Sequence, residues 1–563
     1  MTARALVLGL DGLDPDVVRA LGPERLPHLH ALEARGVFAR LESVVPAATL
    51  PNWSTFLTGL DPGVHGVFDF TTRVGYEVRF TGGTVRAVPT IIARLDTAGL
   101  RCACVGFPGT WPPERLRHGV FVSGWDSPVA FEADRSFVWP PSLYDELRAH
   151  AGDLRFDDVD ELAAETPGWH AALPDALVAR VRRKRELASW LLGEREWDVF
   201  AFYFGESDTA AHYLWSLHDP RSPRRPRDVS ARDADGLARV YAALDESVGE
   251  LIASAGGDAV EVTIVSDHGA GGTSDRALYL NRALADAGLC TLHEGGVAGA
   301  LTRMLKESAL VRLPPRAREL AFRAAGRVLP GWLESRARFG AIDFRRTQAF
   351  SEELNYFPSV WLNVRGREPL GTIAPNDLPR VRAQVVEALL ALRDPWDGSP
   401  AVRAVHARED LYAGPLVERA PDLIVELALP GGYSYNVLPS ASAPSRAELD
   451  GTGAWRRLAP SEYLGRKGRS LPGSHRSHGV FFAAGPRVRA GAECAPRMAD
   501  ATATLLARLG VSPPEGASGR VLAEVLLSDA IAAPLAEAAL APPPDGSDEG
   551  LVEARLRALG YVE

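Results

Sequence analysis

Short apolar runs alternate along the chain with longer stretches of helical spacing. Four strongly apolar runs stand out, at Ala5–Leu10, Cys102–Phe107, Trp197–Phe204 and Val260–Val265. Continuous runs of this length are typical of strands that are buried on both faces of a parallel sheet. Helical patterns separate them, at Pro15–Arg35, 90–99, Pro141–Leu192 and before Val260. This order predicts an α/β fold with a mostly parallel central sheet and helices on both faces.

A second region interrupts this pattern. Residues 271–439 are predicted to form an α+β insertion or cap, with strands at Phe357–Val364 and Leu423–Leu427. The predicted core is therefore 1–270 together with 440–535, and 536–563 are predicted to be a Pro/Asp-rich linker followed by a terminal helix.

The stretch 301–350 is strongly basic. It contains eleven Lys and Arg against four Asp and Glu, with apolar residues at near-helical spacing. Such a helix can lie on an anionic membrane surface. The favoured interpretation is instead a cap that packs on the main domain and exposes an arginine-rich face.

Composition limits the class of protein. The 563 residues exceed what one hydrophobic core usually serves. The net charge of -10 argues against a nucleic-acid polymer as partner. The four cysteines form no CxxC pair, which excludes a disulfide framework or a thiolate zinc site. With no signal-peptide pattern and no apolar run of membrane-spanning length, we expect a soluble cytoplasmic protein; the sequence does not indicate its oligomeric state.

Acidic residues and histidines follow the predicted strands. Asp11 follows the first strand, Asp208 and His212 follow the third, and Asp267 and His268 follow the fourth. Open α/β sheets place their ligands at the carboxyl ends of the strands. A buried carboxylate costs several kcal/mol unless it is paired or bound to a metal. The pattern therefore predicts a metal site at this edge, to which His475, in a late loop, offers a further imidazole.

Thr49 lies just before a Leu-Pro-Asn turn and a run at 53–57 that is typical of the start of a helix. A hydroxyl at that position has two interpretations. It can simply cap the helix, as Ser and Thr commonly do. It can also serve as a nucleophile toward phosphate or sulfate, because the start of a helix attracts anions.

Taken together, these residues resemble the alkaline phosphatase superfamily and, within it, the type I phosphodiesterase/nucleotide pyrophosphatase family. The matching positions stand in the family's order and are Asp11, Thr49 in Thr-Leu-Pro-Asn, Thr58-Gly59, His65-Gly66, Asp208-x-x-x-His212, Asp267-His268-Gly269 and Gly473-x-His475. The resemblance implies an alkaline-phosphatase-like three-layer sandwich with an α+β insertion.

The resemblance also implies a metal-dependent mechanism. It implies two divalent ions, zinc or alternatively manganese, one held by Asp208, His212 and His475 and the other by Asp11, Thr49, Asp267 and His268. Thr49 would attack phosphorus and form a phosphothreonine, while backbone N–H groups and the Asn52 side chain hold a phosphoryl oxygen.

The expected reaction is hydrolysis of a small phosphoric ester, with a phosphodiester favoured. Alternatives on the same fold are a phosphomonoesterase and a phosphoryl or headgroup transferase. A third alternative is a binding protein without catalytic activity.

The sequence departs from the family pattern close to Thr49. Nucleotide pyrophosphatases commonly have His after Pro-Asn and Asn shortly after His-Gly, whereas Trp53 and Phe70 occupy these places here. The Cys-x-Pro-Ser-Arg motif of sulfatases is absent. Nucleotide specificity is therefore not implied, and Asp69, Phe70 and Trp111 are the candidate substrate contacts. His478, close to His475, is interpreted as a solvated loop histidine.

Overall fold

A computed structural model of the protein describes residues 4–527 except 82, 125–134, 153, 155, 157–158, 160, 165, 294–337, 354–356, 445–448, 450–452 and 466–469. Residues 301–337 of the basic stretch 301–350 lie outside the described residues. The whole predicted linker and helix at 536–563 also lie outside them. Within the described part of the chain, no helix combines the length and apolar character needed to cross a membrane.

The strands in chain order are β1 (Ala5–Leu10), β2 (Gly36–Glu42), β3 (Thr71–Val74), β4 (Glu77–Phe80), β5 (Cys102–Val105), β6 (Val120–Val122), β7 (Val138–Trp139), β8 (Val199–Phe204), β9 (Glu261–Val265), β10 (Gly269–Leu278), β11 (Ala349–Ser351), β12 (Ser359–Leu362), β13 (Val402–Ala407), β14 (Leu423–Leu427), β15 (Ser434–Val437), β16 (Trp455–Arg457), β17 (Gly473–Arg476) and β18 (His478–Ala484). The helices are α1 (Pro15–Arg25), α2 (Pro27–Ala34), α3 (Thr49–Thr58), α4 (Pro62–His65), α5 (Ile91–Thr97), α6 (Leu143–Ala151), α7 (Trp169–Glu194), α8 (Glu206–His218), α9 (Ala231–Ala234), α10 (Gly236–Ala255), α11 (Leu280–Asp286), α12 (Leu378–Leu390), α13 (Arg408–Leu411) and α14 (Met498–Leu509).

An eight-stranded sheet forms the centre of the molecule. Its order is β2-β18-β9-β1-β8-β5-β6-β7. The five strands from β9 to β6 run parallel, and β18, β2 and β7 join the sheet antiparallel to their neighbours. Every residue of β1, β5, β8 and β9 is buried, as their continuous apolar sequences predict. The predicted α/β fold with a mostly parallel sheet is confirmed.

Helices pack on this sheet in two groups. One group consists of α1, α2, α7, α8 and α10, and the other of α3, α5 and α14. The predicted single helix at Pro15–Arg35 is wrong, because α1 and α2 are separate helices. The chain breaks where Gly22 adopts a φ of 64° and where Pro27 starts the second helix.

A second hydrophobic core lies in the middle of the chain. The antiparallel sheet β11-β12-β14-β13 contributes to it, and α12 packs near β13. The long strand β10 pairs with β15, β16 and β17 and so joins this region to the end of the central sheet. The predicted domain boundaries at 270/271 and 439/440 stay a prediction.

Candidate metal centre

Three parallel strands end level with one another at one edge of the sheet. In the strand register, Leu10 lies beside Phe204, and Gly9 lies beside Val265. Asp11 follows β1 directly, and Asp267 and His268 come within three residues of the end of β9. Because the carboxyl ends of parallel strands meet at one edge, side chains far apart in sequence are brought together there.

Three further elements bring the other predicted ligands to this edge. Helix α8 begins two residues after β8 and carries Asp208 and His212 one turn apart on the same face. Strand β17 pairs with β10, and Ala270 lies opposite His475. Thr49 is the first residue of α3. The structure therefore gathers all seven predicted ligands.

His268 is the centre of one group. Its Nε2 lies 3.5 Å from Asp11 Oδ1, 3.2 Å from Asp267 Oδ2 and 3.4 Å from Thr49 Oγ1. Asp11, Asp267 and His268 are buried, and one ligand atom of each falls within 4.8 Å of the others. This group contains the residues that were predicted to hold one ion.

Asp208 is the centre of the other group. Its Oδ1 lies 3.2 Å from His212 Nε2 and 3.4 Å from His475 Nε2. His268 also comes within 4.8 Å of Asp208 and His475, and its ring stacks on that of His475 with 3.5 Å between centroids. His268 thus neighbours both groups, and the predicted division of ligands between two ions stays a prediction.

Backbone carbonyl groups fix the orientation of all three imidazoles. His212 Nδ1 lies 3.0 Å from Gly473 O, His268 Nδ1 3.0 Å from Gly269 O, and His475 Nδ1 2.7 Å from Ala47 O. A carbonyl oxygen can only accept, so each Nδ1 is the protonated nitrogen that donates. Each Nε2 then directs its lone pair into the site, which is the usual arrangement of a metal-binding histidine.

The donor set fits divalent metal ions. The Nε2 atoms of His212 and His475 are 3.1 Å apart, although both are acceptors that would repel without a cation between them. The buried Oδ2 of Asp267 accepts no hydrogen bond from the residues that the structure describes. The inter-ligand distances of 3.1 to 3.5 Å match the edge, about 3.3 Å, of a tetrahedron with zinc–ligand bonds of 2.0 to 2.1 Å.

Burial and neighbouring charges set the ionisation of these groups. Burial raises the pKa of Asp267 well above its usual range, and the carboxylates of Asp11 and Asp208 add to this effect. Burial acts in the same direction on the pKa of Asp208, but the positive charge that the imidazoles of His212 and His475 carry when they are protonated outweighs it and lowers that pKa. Burial lowers the pKa of His268, which keeps its imidazole neutral. Neutral imidazoles and crowded carboxylates form a site that a cation would stabilise.

Thr49 begins α3 but does not cap it. The cap residue is Ala48, which has no side-chain acceptor, and the helix starts four residues earlier than the run at 53–57 indicated. The interpretation of Thr49 as a plain helix cap is therefore wrong. The first N–H groups of α3, beside the Thr49 hydroxyl, have no side-chain cap.

The role predicted for the Asn52 side chain needs correction. Its amide donates to Pro46 O at 3.2 Å and to Ala48 O at 2.8 Å, and its Oδ1 accepts from Val44 N at 2.8 Å. Both amide hydrogens are therefore used, and the residue is fully buried. Asn52 shapes the loop before Thr49 and has no hydrogen left to donate to a phosphoryl oxygen.

Two aromatic residues outside the predicted set of site residues contact Asp11. Trp53 Nε1 donates to Asp11 Oδ2 at 2.8 Å, and Tyr203 O–H donates to the same oxygen at 2.7 Å. Trp53 was visible in the sequence only as a departure from the family pattern. Tyr203 was indistinguishable from the other core residues of an apolar strand.

The candidate substrate contacts lie outside this cluster of ligands. Asp69 is partly buried beside Glu352, and burial together with that carboxylate raises its pKa to about 7. The Phe70 side chain is 41% exposed, and Trp111 is partly buried against the main core. Their roles stay predictions. His478 is exposed at the start of β18.

The chain is similar to a known protein family and to solved structures. The chain matches the model of the family described as type I phosphodiesterase / nucleotide pyrophosphatase over residues 5–437. A crystal structure of phosphonoacetate hydrolase from Sinorhizobium meliloti 1021 in complex with phosphonoformate is similar, with a TM-score of 0.51 and 16% sequence identity, over 89% of this chain and 94% of that chain. Human ectonucleotide pyrophosphatase / phosphodiesterase 5 gives a TM-score of 0.46 at 15% identity, again over 89% and 94%. The similarity to phosphonoacetate hydrolase concerns the fold alone. The fold is alkaline-phosphatase-like, as predicted.

Proposed function

This chain belongs to the type I phosphodiesterase/nucleotide pyrophosphatase family of phosphoester-hydrolysing enzymes, and on that premise we propose that it cleaves a small phosphodiester through a phosphothreonine at Thr49. One observation carries the proposal. The Thr49 hydroxyl lies 3.4 Å from His268 Nε2, within a buried set of carboxylates and imidazoles whose lone pairs converge.

Two divalent ions complete the proposed site. Asp208, His212 and His475 would hold one ion, and Asp11, Asp267, His268 and Thr49 the other, with zinc favoured over manganese for this mixed donor set. When bound, such ions lower the pKa of a nucleophilic hydroxyl and neutralise charge on the attacking and leaving oxygens.

The protein's own groups perform two displacements. Thr49 Oγ1 loses its proton and bonds to phosphorus, while the ester bond breaks and the alcohol leaves with the electron pair and a proton. Water then attacks the phosphorus of this phosphothreonine, which still carries the second ester group. The bond to Oγ1 breaks, the hydroxyl regains a proton, and a phosphomonoester is released. The N–H groups of Thr49 and Leu50 belong to the first turn of α3, which has no side-chain cap, and would hold a phosphoryl oxygen through both steps.

Other reactions of the same site remain as outcomes of the test. A phosphomonoesterase would prefer monoesters, and a transferase would pass the phosphoryl or headgroup to an acceptor alcohol instead of water. A binding protein without activity is disfavoured because the chain has every metal-ligating residue that the family resemblance implies. We further propose a cytoplasmic location, which the four free cysteines support.

The experiment compares Thr49→Ala with Thr58→Ala, a buried threonine on the same helix whose Oγ1 donates to Ser54 O. Each protein is assayed with zinc or manganese on bis-p-nitrophenyl phosphate, p-nitrophenyl phosphate and phosphonoacetate, with and without added alcohols. We expect Thr49→Ala to lower kcat by about 10³-fold or more and Thr58→Ala to change it by less than about 10-fold. Mass spectrometry of wild type that is quenched in acid during turnover of the diester should detect a p-nitrophenylphosphoryl group on Thr49.

Unchanged diester hydrolysis by Thr49→Ala would remove that residue from the mechanism. A preference for the monoester, or products of alcohol transfer in excess of hydrolysis, would replace the proposed reaction with the corresponding alternative.

A further inference from the structure

We propose that Trp53 and Tyr203 are positioning residues of the metal centre, which hold one oxygen of Asp11 so that the other is presented to the ion. This inference rests on the proposed function. It assigns a role to the residue that departs most clearly from the family pattern near Thr49.

Two neutral donors meet on a single carboxylate oxygen. The indole N–H of Trp53 and the phenol O–H of Tyr203 donate to Asp11 Oδ2 at 2.8 and 2.7 Å. The other oxygen, Oδ1, is the one that lies 3.5 Å from His268 Nε2. The hydrogen bonds therefore distinguish the two oxygens and fix the rotation of the carboxylate.

Tight packing prevents the Trp53 ring from moving away. The ring is fully buried and makes edge contacts with Phe56, Phe107 and Tyr203 at centroid distances of 5.3 to 5.9 Å. It also lies directly over Gly9 of β1, where a Cβ would approach the indole to 2.8 Å. This close approach, which the Phe107 ring shares, explains a glycine one residue before the end of this buried strand.

The sheet register positions the Tyr203 hydroxyl. Tyr203 lies beside Gly9 in the parallel pair β1/β8, one residue before the end of β8. Its side chain therefore leaves the sheet next to the strand end that carries Asp11. Two rigid elements, α3 and β8, thus hold Asp11 from different directions.

The neutrality of both donors matters for the chemistry. A lysine or arginine in their place would compete with the metal for the negative charge of Asp11. Neutral donors satisfy Oδ2, which is buried, while the carboxylate keeps its charge for the ion. Hydrogen bonds of this kind to metal ligands are worth about 10- to 100-fold in metal affinity.

The test uses the full-length protein and the single variants Tyr203→Phe and Trp53→Phe. The matched controls are Tyr435→Phe, which loses a buried phenol–carboxylate hydrogen bond to Asp394 in the second core, and Trp197→Phe, which loses a buried indole hydrogen bond to Leu191 O. Zinc affinity is measured by chelator competition, and the visible spectrum is recorded after loading with cobalt. Unfolding of each metal-free protein is followed in parallel.

We expect Tyr203→Phe and Trp53→Phe to weaken zinc binding by about 10- to 100-fold relative to their controls and to alter the cobalt spectrum. Metal-free Tyr203→Phe should unfold within a few degrees of metal-free Tyr435→Phe. If Trp53→Phe does not fold, Tyr203→Phe, which removes one oxygen atom, decides the test.

Zinc affinity equal to that of the controls, in a wild type that binds zinc and hydrolyses diesters, would overturn the positioning role and leave the proposed function intact. A wild type that binds no zinc, manganese or cobalt would overturn both.

Discussion

Backbone carbonyl groups, rather than acidic side chains, orient the imidazoles of the candidate metal centre. Ala47 O, Gly269 O and Gly473 O each accept from an Nδ1 atom, so the ring orientation depends on the course of the main chain. Ala47 belongs to the loop that leads into Thr49. The proposed nucleophile Thr49 and the proposed ligand His475 are therefore positioned by the same few residues.

His475 and His478 offer a comparison within one short segment. We expect His475→Ala to lose diester hydrolysis by at least about 10²-fold and to retain less zinc after dialysis, because one inward-facing Nε2 is removed. His478→Ala should behave as wild type, since that side chain is exposed. Metal analysis and steady-state kinetics on both variants check this. Equal losses in the two variants would contradict the assignment of His475.

We expect the Asn52 side chain to contribute to the stability of the fold rather than directly to catalysis. Asn52→Ala leaves Val44 N without its acceptor and takes one of two donors from the carbonyl groups of Pro46 and Ala48, which still accept from the backbone N–H groups of Ala48 and Asn52. We expect a loss of about 1 to 3 kcal/mol in the free energy of unfolding. Urea unfolding measures the loss, with Thr58→Ala as the control on the same helix. Full stability together with a large fall in kcat would instead restore the role first predicted for Asn52.

At the scale of elements, the second core has its own polar anchor. Glu353, just after β11, accepts from Ser440 N, from Ser440 Oγ at 2.6 Å and from Asn281 N, the last at 2.9 Å. The anchor joins β11 to α11 and to the segment after β15. Burial raises the pKa of Glu353 from 4.5 to about 7, even though the hydrogen bonds from Ser440 act in the opposite direction.

This shifted pKa makes the second core sensitive to pH. Between about pH 4.5 and 7 the folded protein keeps a proton on Glu353 that the unfolded chain releases, so stability falls as the pH rises and levels off above 7. The free energy of unfolding of wild type, relative to Glu353→Gln, should fall by about 2 to 3 kcal/mol from pH 5 to 8. Unfolding of both proteins across that range measures this.

Glu387→Gln, at an exposed position on α12, controls for the loss of one negative charge. A difference between wild type and Glu353→Gln that is constant with pH, or that grows, would show that Glu353 is ionised in the folded protein throughout.

Across the whole molecule, the sequence allowed the strands and the ligands to be predicted because both leave local signals. Apolar runs mark β1, β8 and β9, and the acidic residues that follow these strands mark one edge of the sheet. The contacts of Trp53 and Tyr203 with Asp11 left no such signal. They join positions 42 and 192 residues apart, and only the register and the packing over Gly9 create them.

Ligands from both ends of the chain meet at the site, so metal removal should weaken the whole main core. Asp11 and His475 are separated by almost the full described chain, and the three carboxylates of the site lie close together in a buried place. Binding to the folded state alone stabilises it by about 4 kcal/mol when the free ion is 1,000 times Kd.

We expect chelation to lower the melting temperature by several degrees and re-addition of zinc or manganese to restore it. Calorimetry measures the melting temperature of wild type and of Asp267→Asn with and without metal. Because the variant lacks one ligand charge, the metal should raise its melting temperature much less. Equal gains in both proteins would indicate that the stabilising ion binds elsewhere.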